Sequence, residues 1–150
     1  MLEITKKIEF DYGHRVLGHE GKCCYLHGHR GVAEVTVCAV DDGGVDDLGR
    51  VFVFGVVKEV IGGLIDEKWD HNFLLHKDDP LCALHREWET RRCFKELDNS
   101  GDVFSGRVPY IMKYGNPTAE NMARELYDVS SRLFLVKPVR VVRVCIWETP

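Results

Sequence analysis

The sequence predicts an α+β domain, an antiparallel sheet of four strands with two long helices on one face. Three observations predict it. Residues 2–14 and about 27–41 alternate in polarity, as half-buried strands do. Apolar residues from Val56 to Ile65 and from Ala119 to Leu133 recur at spacings of three and four, as in amphipathic helices. The order strand, strand, helix, variable segment, strand, helix, strand contains no repeat or linker, so the 150 residues form one domain, long enough to bury a core without staples.

In the first strand Leu2, Ile4, Ile8, Phe10 and Tyr12 share one parity, and Glu3, Thr5, Lys7, Glu9 and Asp11 the other. His14 has the apolar parity and points inward if the strand runs that far. Residues 15–26 read as a loop ending at Cys23-Cys24. The second strand places His27, His29, Ala33, Val35, Val37 and Ala39 on one face, and Asp41-Asp42-Gly43-Gly44 closes it as a turn. The first helix carries no polar cap at Val53 or Phe54, an omission worth about 1 kcal/mol. It leads into Trp69-Asp70-His71-Asn72-Phe73-Leu74-Leu75 and is stopped by Asp78-Asp79-Pro80. Leu81, Leu84 and Trp88 suggest a short amphipathic helix, Arg86 to Lys95 a solvated face, and Asn99-Ser100-Gly101-Asp102 a turn. Val108 to Tyr114 reads as the third strand. Asn116-Pro117-Thr118 starts the second helix, a capping residue before a proline at the first helical position, and Ala119, Met122, Ala123, Leu126, Ser130 and Leu133 form its inner stripe. Val139 to Trp147 is the fourth strand and delivers Glu148.

A formal net charge of −4 argues against nucleic acid as the main partner, while leaving room for a local basic pocket. No apolar run approaches the roughly 18 residues of a membrane span, and the N-terminus lacks the apolar core of a signal peptide. Six cysteines without that signal and without a C-x-x-C pair suggest reduced thiols in the cytoplasm.

Two histidines two residues apart on a strand can reach one ion. Zinc suits such ligands, and a catalytic zinc takes three, with its fourth position open. His27 and His29 supply two, and His14 is the available third. Cys23 and Cys24 leave two readings: they join two histidines in a closed structural zinc site, or one is a free thiol beside an open site, able to act as a base. Cys38 and Cys145 lie within strands and read as apolar core. Asp70 and His71 face each other only if the chain turns there, and otherwise form a helix-terminal charge pair. His76 and His85 lie in polar surroundings. Glu148 shares parity with Val142, Val144 and Ile146; an inward carboxylate needs a partner, either Arg140 or a ligand with two adjacent N–H donors.

Taken in order, Phe10 to His14, Gly18-His19-Glu20-Gly21-Lys22-Cys23, His27-Gly28-His29, Trp69-Asp70-His71, Pro117-Thr118-Ala119-Glu120-Asn121 and Glu148-Thr149 resemble the family of 6-pyruvoyltetrahydropterin and 6-carboxytetrahydropterin synthases. The resemblance implies the tunnelling fold, in which sheets of several subunits join into a barrel with sites between subunits, typically in a homohexamer built as a dimer of trimers. It implies dihydroneopterin triphosphate as substrate and Zn2+ bound by His14, His27 and His29. By position it makes Cys23 the catalytic base, Asp70 and His71 the proton relay, and Glu148 the pterin anchor. Cys23 stands four residues before His27, as in the carboxy-forming enzymes of queuosine biosynthesis, which release acetaldehyde and triphosphate. The alternatives are the pyruvoyl-forming lyase and a zinc-bound pterin-binding oligomer without catalysis. A zinc hydrolase is disfavoured by the lack of H-E-x-x-H. Lys22, Arg15 and His19 are candidates for binding triphosphate. Arg50, Val53 and Gly31 depart from the family pattern, which commonly has Met, Asp and an aromatic residue there; the departure at Val53 accounts for the missing helix cap.

Overall fold

The computed structural model describes residues 2–40, 44–84 and 108–149. Five strands and two long helices follow in the order β1 (Glu3–His14), β2 (His27–Ala39), α1 (Phe54–Lys68), β3 (Asn72–Leu75), β4 (Tyr110–Ile111), α2 (Ala119–Leu133) and β5 (Val139–Trp147). A single 3-10 turn, Lys22–Cys24, sits in the loop before β2. The strands form one sheet in the order β4-β3-β1-β2-β5.

The long strands β1, β2 and β5 are antiparallel, but β3 is parallel to β1 and β4 parallel to β3. The sheet is therefore mixed and five-stranded, where the sequence suggests four antiparallel strands. The difference arises at the end of α1. There the Trp69 and Asp70 N–H groups both reach the Ile65 carbonyl, and His71 turns left-handed with φ 52°. Its N–H donates to the Asp11 carbonyl and delivers Asn72–Leu75 to the edge of β1. A four-residue strand is too short to show its own period. β4 is shorter than the stretch Val108 to Tyr114 because the Lys113 N–H leaves the sheet for the Glu125 carboxylate.

Both helices cover the same face, α1 over β1 and α2 over β5. Val57, Ile61 and Ile65 of α1 and Met122 and Leu126 of α2 close over Phe10, Tyr12, Ala33, Val35 and Val37. Two details of α2 differ from the sequence reading. Its cap is Thr118, whose hydroxyl accepts from the Asn121 N–H, so Pro117 lies before the helix and its carbonyl is free for other use. Leu133 is exposed, while Glu125 is buried and accepts from the Tyr110 hydroxyl and the Lys113 N–H. At the start of α1, Val53 offers no side-chain cap. Arg50 instead closes the preceding loop through Asp46.

Residues 80–84 are helical and include Leu81 and Leu84. Asp41, Asp42 and Gly43 of the first turn, His85, Trp88, the charged run from Arg86 to Lys95 and the Asn99 turn lie outside the described residues. Among the described residues no helix is long and apolar enough to cross a membrane.

Candidate active site

The β1–β2 ladder pairs Tyr12 with His29, Gly13 with Gly28, and His14 with His27. Residues directly opposite one another share a face. Phe10, Tyr12, His14, His27, His29 and Gly31 therefore stand together under the helices. One ring nitrogen from each of the three histidines lies within 4.8 Å of the others, and among the described residues this is the cluster able to hold a metal ion.

Backbone carbonyls set the chemistry of the cluster. His14 Nδ1 donates to the Pro117 carbonyl and His27 Nδ1 to the Tyr25 carbonyl, each at 2.7 Å. A carbonyl only accepts, so in each neutral ring the proton sits on Nδ1 and Nε2 presents a bare lone pair. Those two Nε2 atoms face each other at 3.1 Å. His29 Nε2 is buried with no partner. Burial, followed by the charges of the other histidines against the opposing pulls of Pro117 and Glu148, leaves the His14 pKa below its ordinary value and keeps the ring neutral. Converging unprotonated nitrogens repel one another, and a cation among them removes the repulsion and satisfies the orphan. The donor set fits zinc. Replacing His29 by alanine is expected to drop bound zinc from about one ion per chain to under a tenth, measured by elemental analysis after dialysis; full retention would show that the cluster is not the site.

Glu148 follows β5 on this same face. Val32 pairs with Trp147, so the next residue of β5 comes level with Gly31. Its charge acts on both His14 and Tyr12. Gly31 is explained by its neighbours: a Cβ there would lie 2.9 Å from a Tyr12 ring carbon and 3.0 Å from one of Phe10. The space beside position 31 is filled by Tyr12 and Phe10 from the adjacent strand.

Asp70 and His71 are joined by the left-handed turn, with His71 Nδ1 donating to Asp70 Oδ2 at 2.8 Å. The other oxygen of Asp70 accepts the Asp11 N–H at 2.8 Å, which fixes the carboxylate. The imidazole is 72% exposed and leaves Nε2 free to face outward. It lines a cleft of about 560 Å³ together with Leu26, Arg30, Phe73 and two of the three clustered histidines, His27 and His29. Phe73 packs against Gly13 from this side, 2.6 Å from where a Cβ would stand. The dyad and two histidines of the cluster therefore open onto one cleft.

Cys23 is half-buried in the 3-10 turn, and its carbonyl holds the Val16 N–H at 2.8 Å. Arg15, a candidate for triphosphate, is committed elsewhere. Its guanidinium donates twice to Asp79, at 2.7 and 2.6 Å, and ties the loop after β1 to the segment after β3. Burial alone would push the Asp79 carboxyl up, but Arg15 and the Leu81 N–H hold it below the usual range. Its folded pKa lies below its unfolded one, so the pair stabilises the fold above about pH 4 and the benefit is lost as pH falls through the folded value. Asp79→Asn is expected to cost about 2 kcal/mol at pH 7 and much less near pH 3, read from denaturant unfolding at both pH values. An equal loss at both would contradict the ionic role.

Asn116 and Pro117, which the sequence assigns to the start of the second helix, also make hydrogen bonds to the loop after β1 and to His14. Asn116 clamps Leu17 through both its amide atoms, and Pro117 orients His14. A proline carbonyl leaves no side-chain signal of such a role.

The sequence pattern described as 6-pyruvoyl tetrahydropterin synthase matches residues 3–150. A protein of Rickettsia bellii named 6-carboxy-5,6,7,8-tetrahydropterin synthase is 38% identical over all of this chain and 96% of its own. One of the same name from Aquifex aeolicus is 31% identical over 98% of this chain and 92% of its own. Among solved structures, an uncharacterised protein of Wolinella succinogenes superposes with a TM-score of 0.78 at 25% identity, over 99% of this chain and 93% of that one. The 6-pyruvoyl tetrahydropterin synthase of Plasmodium falciparum superposes at 0.63 and 17% identity, over 99% and 92%, and shares the fold. Fold and relatives define a pterin-synthase lyase of the tunnelling-fold class. The chain belongs to the 6-pyruvoyl tetrahydropterin synthase family.

Proposed function

We propose that the protein is a zinc-dependent carbon–carbon lyase that converts 7,8-dihydroneopterin triphosphate to 6-carboxy-5,6,7,8-tetrahydropterin, releasing acetaldehyde and triphosphate, in the cytoplasmic route to queuosine. The observation that carries the reading is the convergence of three imidazole nitrogens, two of them aimed by backbone carbonyls, on the sheet face that also bears Glu148. Relatives named for this activity over nearly their whole lengths support the branch.

His14, His27 and His29 would hold the metal, which supplies Lewis acidity to the side-chain hydroxyls of the substrate and the carbon between them. Glu148 takes the two N–H groups of the pterin ring with its two oxygens and orients the side chain toward the histidines. Cys23 takes the proton from carbon. His71 moves a proton through Nε2, with Asp70 holding Nδ1. The dyad opens onto the cleft that His27 and His29 also line, and its exposed imidazole lies where a neighbouring subunit would complete the site. The exposed apolar Tyr25, Leu26 and Phe73 around the cleft and the open edge of β5 support such an assembly, a homohexamer with its sheets closed into a barrel.

Zinc-loaded protein given dihydroneopterin triphosphate is expected to form the 6-carboxy product with one trapped acetaldehyde per turnover, and Cys23→Ala to keep its zinc while losing at least about 100-fold in kcat. A pyruvoyl product without acetaldehyde would overturn the branch, and an active Cys23→Ala the base.

A further inference from the structure

Tyr12 carries a polar atom that the proposed chemistry does not use. The residue is 4% exposed, and its hydroxyl is buried without a hydrogen-bond partner. The ring stacks on Phe10 with centroids 5.2 Å apart, meets the His14 and His29 rings at 5.1 and 5.8 Å, and lies over Gly31. That is the level at which Glu148 arrives, and Glu148 is the charged group that acts on the phenol. A phenylalanine would fill the same space without leaving a buried O–H unsatisfied, which costs about 1–3 kcal/mol. The hydroxyl therefore has a use that the free chain does not show.

We propose that Tyr12 is a specificity-determining residue whose O–H donates to the ring carbonyl of the bound pterin. The inference rests on Glu148 being the pterin anchor. A 2-amino-4-oxo ring presents two N–H donors followed by a carbonyl acceptor along one edge. A carboxylate matches only the donors. A phenol beside it completes the complement and selects the 4-oxo ring over one whose 4-position accepts poorly.

The test measures binding of neopterin and its 4-thioxo counterpart to the purified zinc-loaded oligomer, through quenching of ligand fluorescence, for wild type, Tyr12→Phe and Glu148→Gln. Wild type is expected to prefer the oxo compound by about tenfold, and Tyr12→Phe to lose about tenfold for neopterin with little change for the thioxo compound, the size of one hydrogen bond. Tyr12→Phe should melt no lower than wild type, since it removes an unsatisfied group. An oxo preference that survives in Tyr12→Phe, or equal losses for both ligands, would overturn the proposal, the latter placing the phenol on Glu148 instead. Neopterin binding that Glu148→Gln weakens and Tyr12→Phe leaves unchanged would overturn the Tyr12 role alone. No saturable neopterin binding by wild type would overturn the pterin reading as well.

Discussion

The register of β1 against β2 is the constraint on which the rest depends. It sets His14 against His27 and Tyr12 against His29. A slip of one residue would send every imidazole on the moved strand to the opposite face. The register is held by ordinary sheet forces. Phe10, Ala33, Val35 and Val37 bury one face, and Thr5 with Thr36 and Lys7 with Glu34 pair across the other. Gly13 and Gly28 sit opposite each other just where the site begins, and Phe73 occupies the space that a side chain at Gly13 would need. The site is thus a property of the ladder, with its final aim set by two loop carbonyls.

Much of this was legible from residue patterns. The parity of Phe10, Tyr12 and His14 and of His27, His29, Ala33 and Val35 was enough to place three imidazoles on one face, because a strand's period fixes side-chain direction. The two helices were equally plain. What could not be read came from contacts distant in sequence or from backbone atoms. β3 depends on a left-handed His71 bonded to Asp11, β4 is cut short by a buried Glu125, and His14 is aimed by a carbonyl 103 residues away. Arg15, a triphosphate candidate by position, is bound by Asp79, a partner 64 residues away that no local pattern reveals.

The departures from the family pattern separate into two kinds. Val53 leaves a helix end without its side-chain cap and costs stability alone. At Gly31 the rings of Tyr12 and Phe10 occupy the space a side chain would need, so the core is filled from β1. Packing conserves volume more strictly than the identity of the donor position. Tyr12 thereby brings a buried, unpartnered hydroxyl to this face, where the charge of Glu148 acts on it.

The proposed metal site is an open one of three histidines with the neighbouring thiols left unligated, as opposed to a closed one that uses Cys23 and Cys24. X-ray absorption at the zinc edge of the purified oligomer tests this most directly. An open site gives a coordination shell of nitrogen and oxygen at about 2.0–2.1 Å, with imidazole scattering from three rings. A sulfur shell at about 2.3 Å would contradict it, because a cysteine bound to the metal is no longer a base and the site is no longer open.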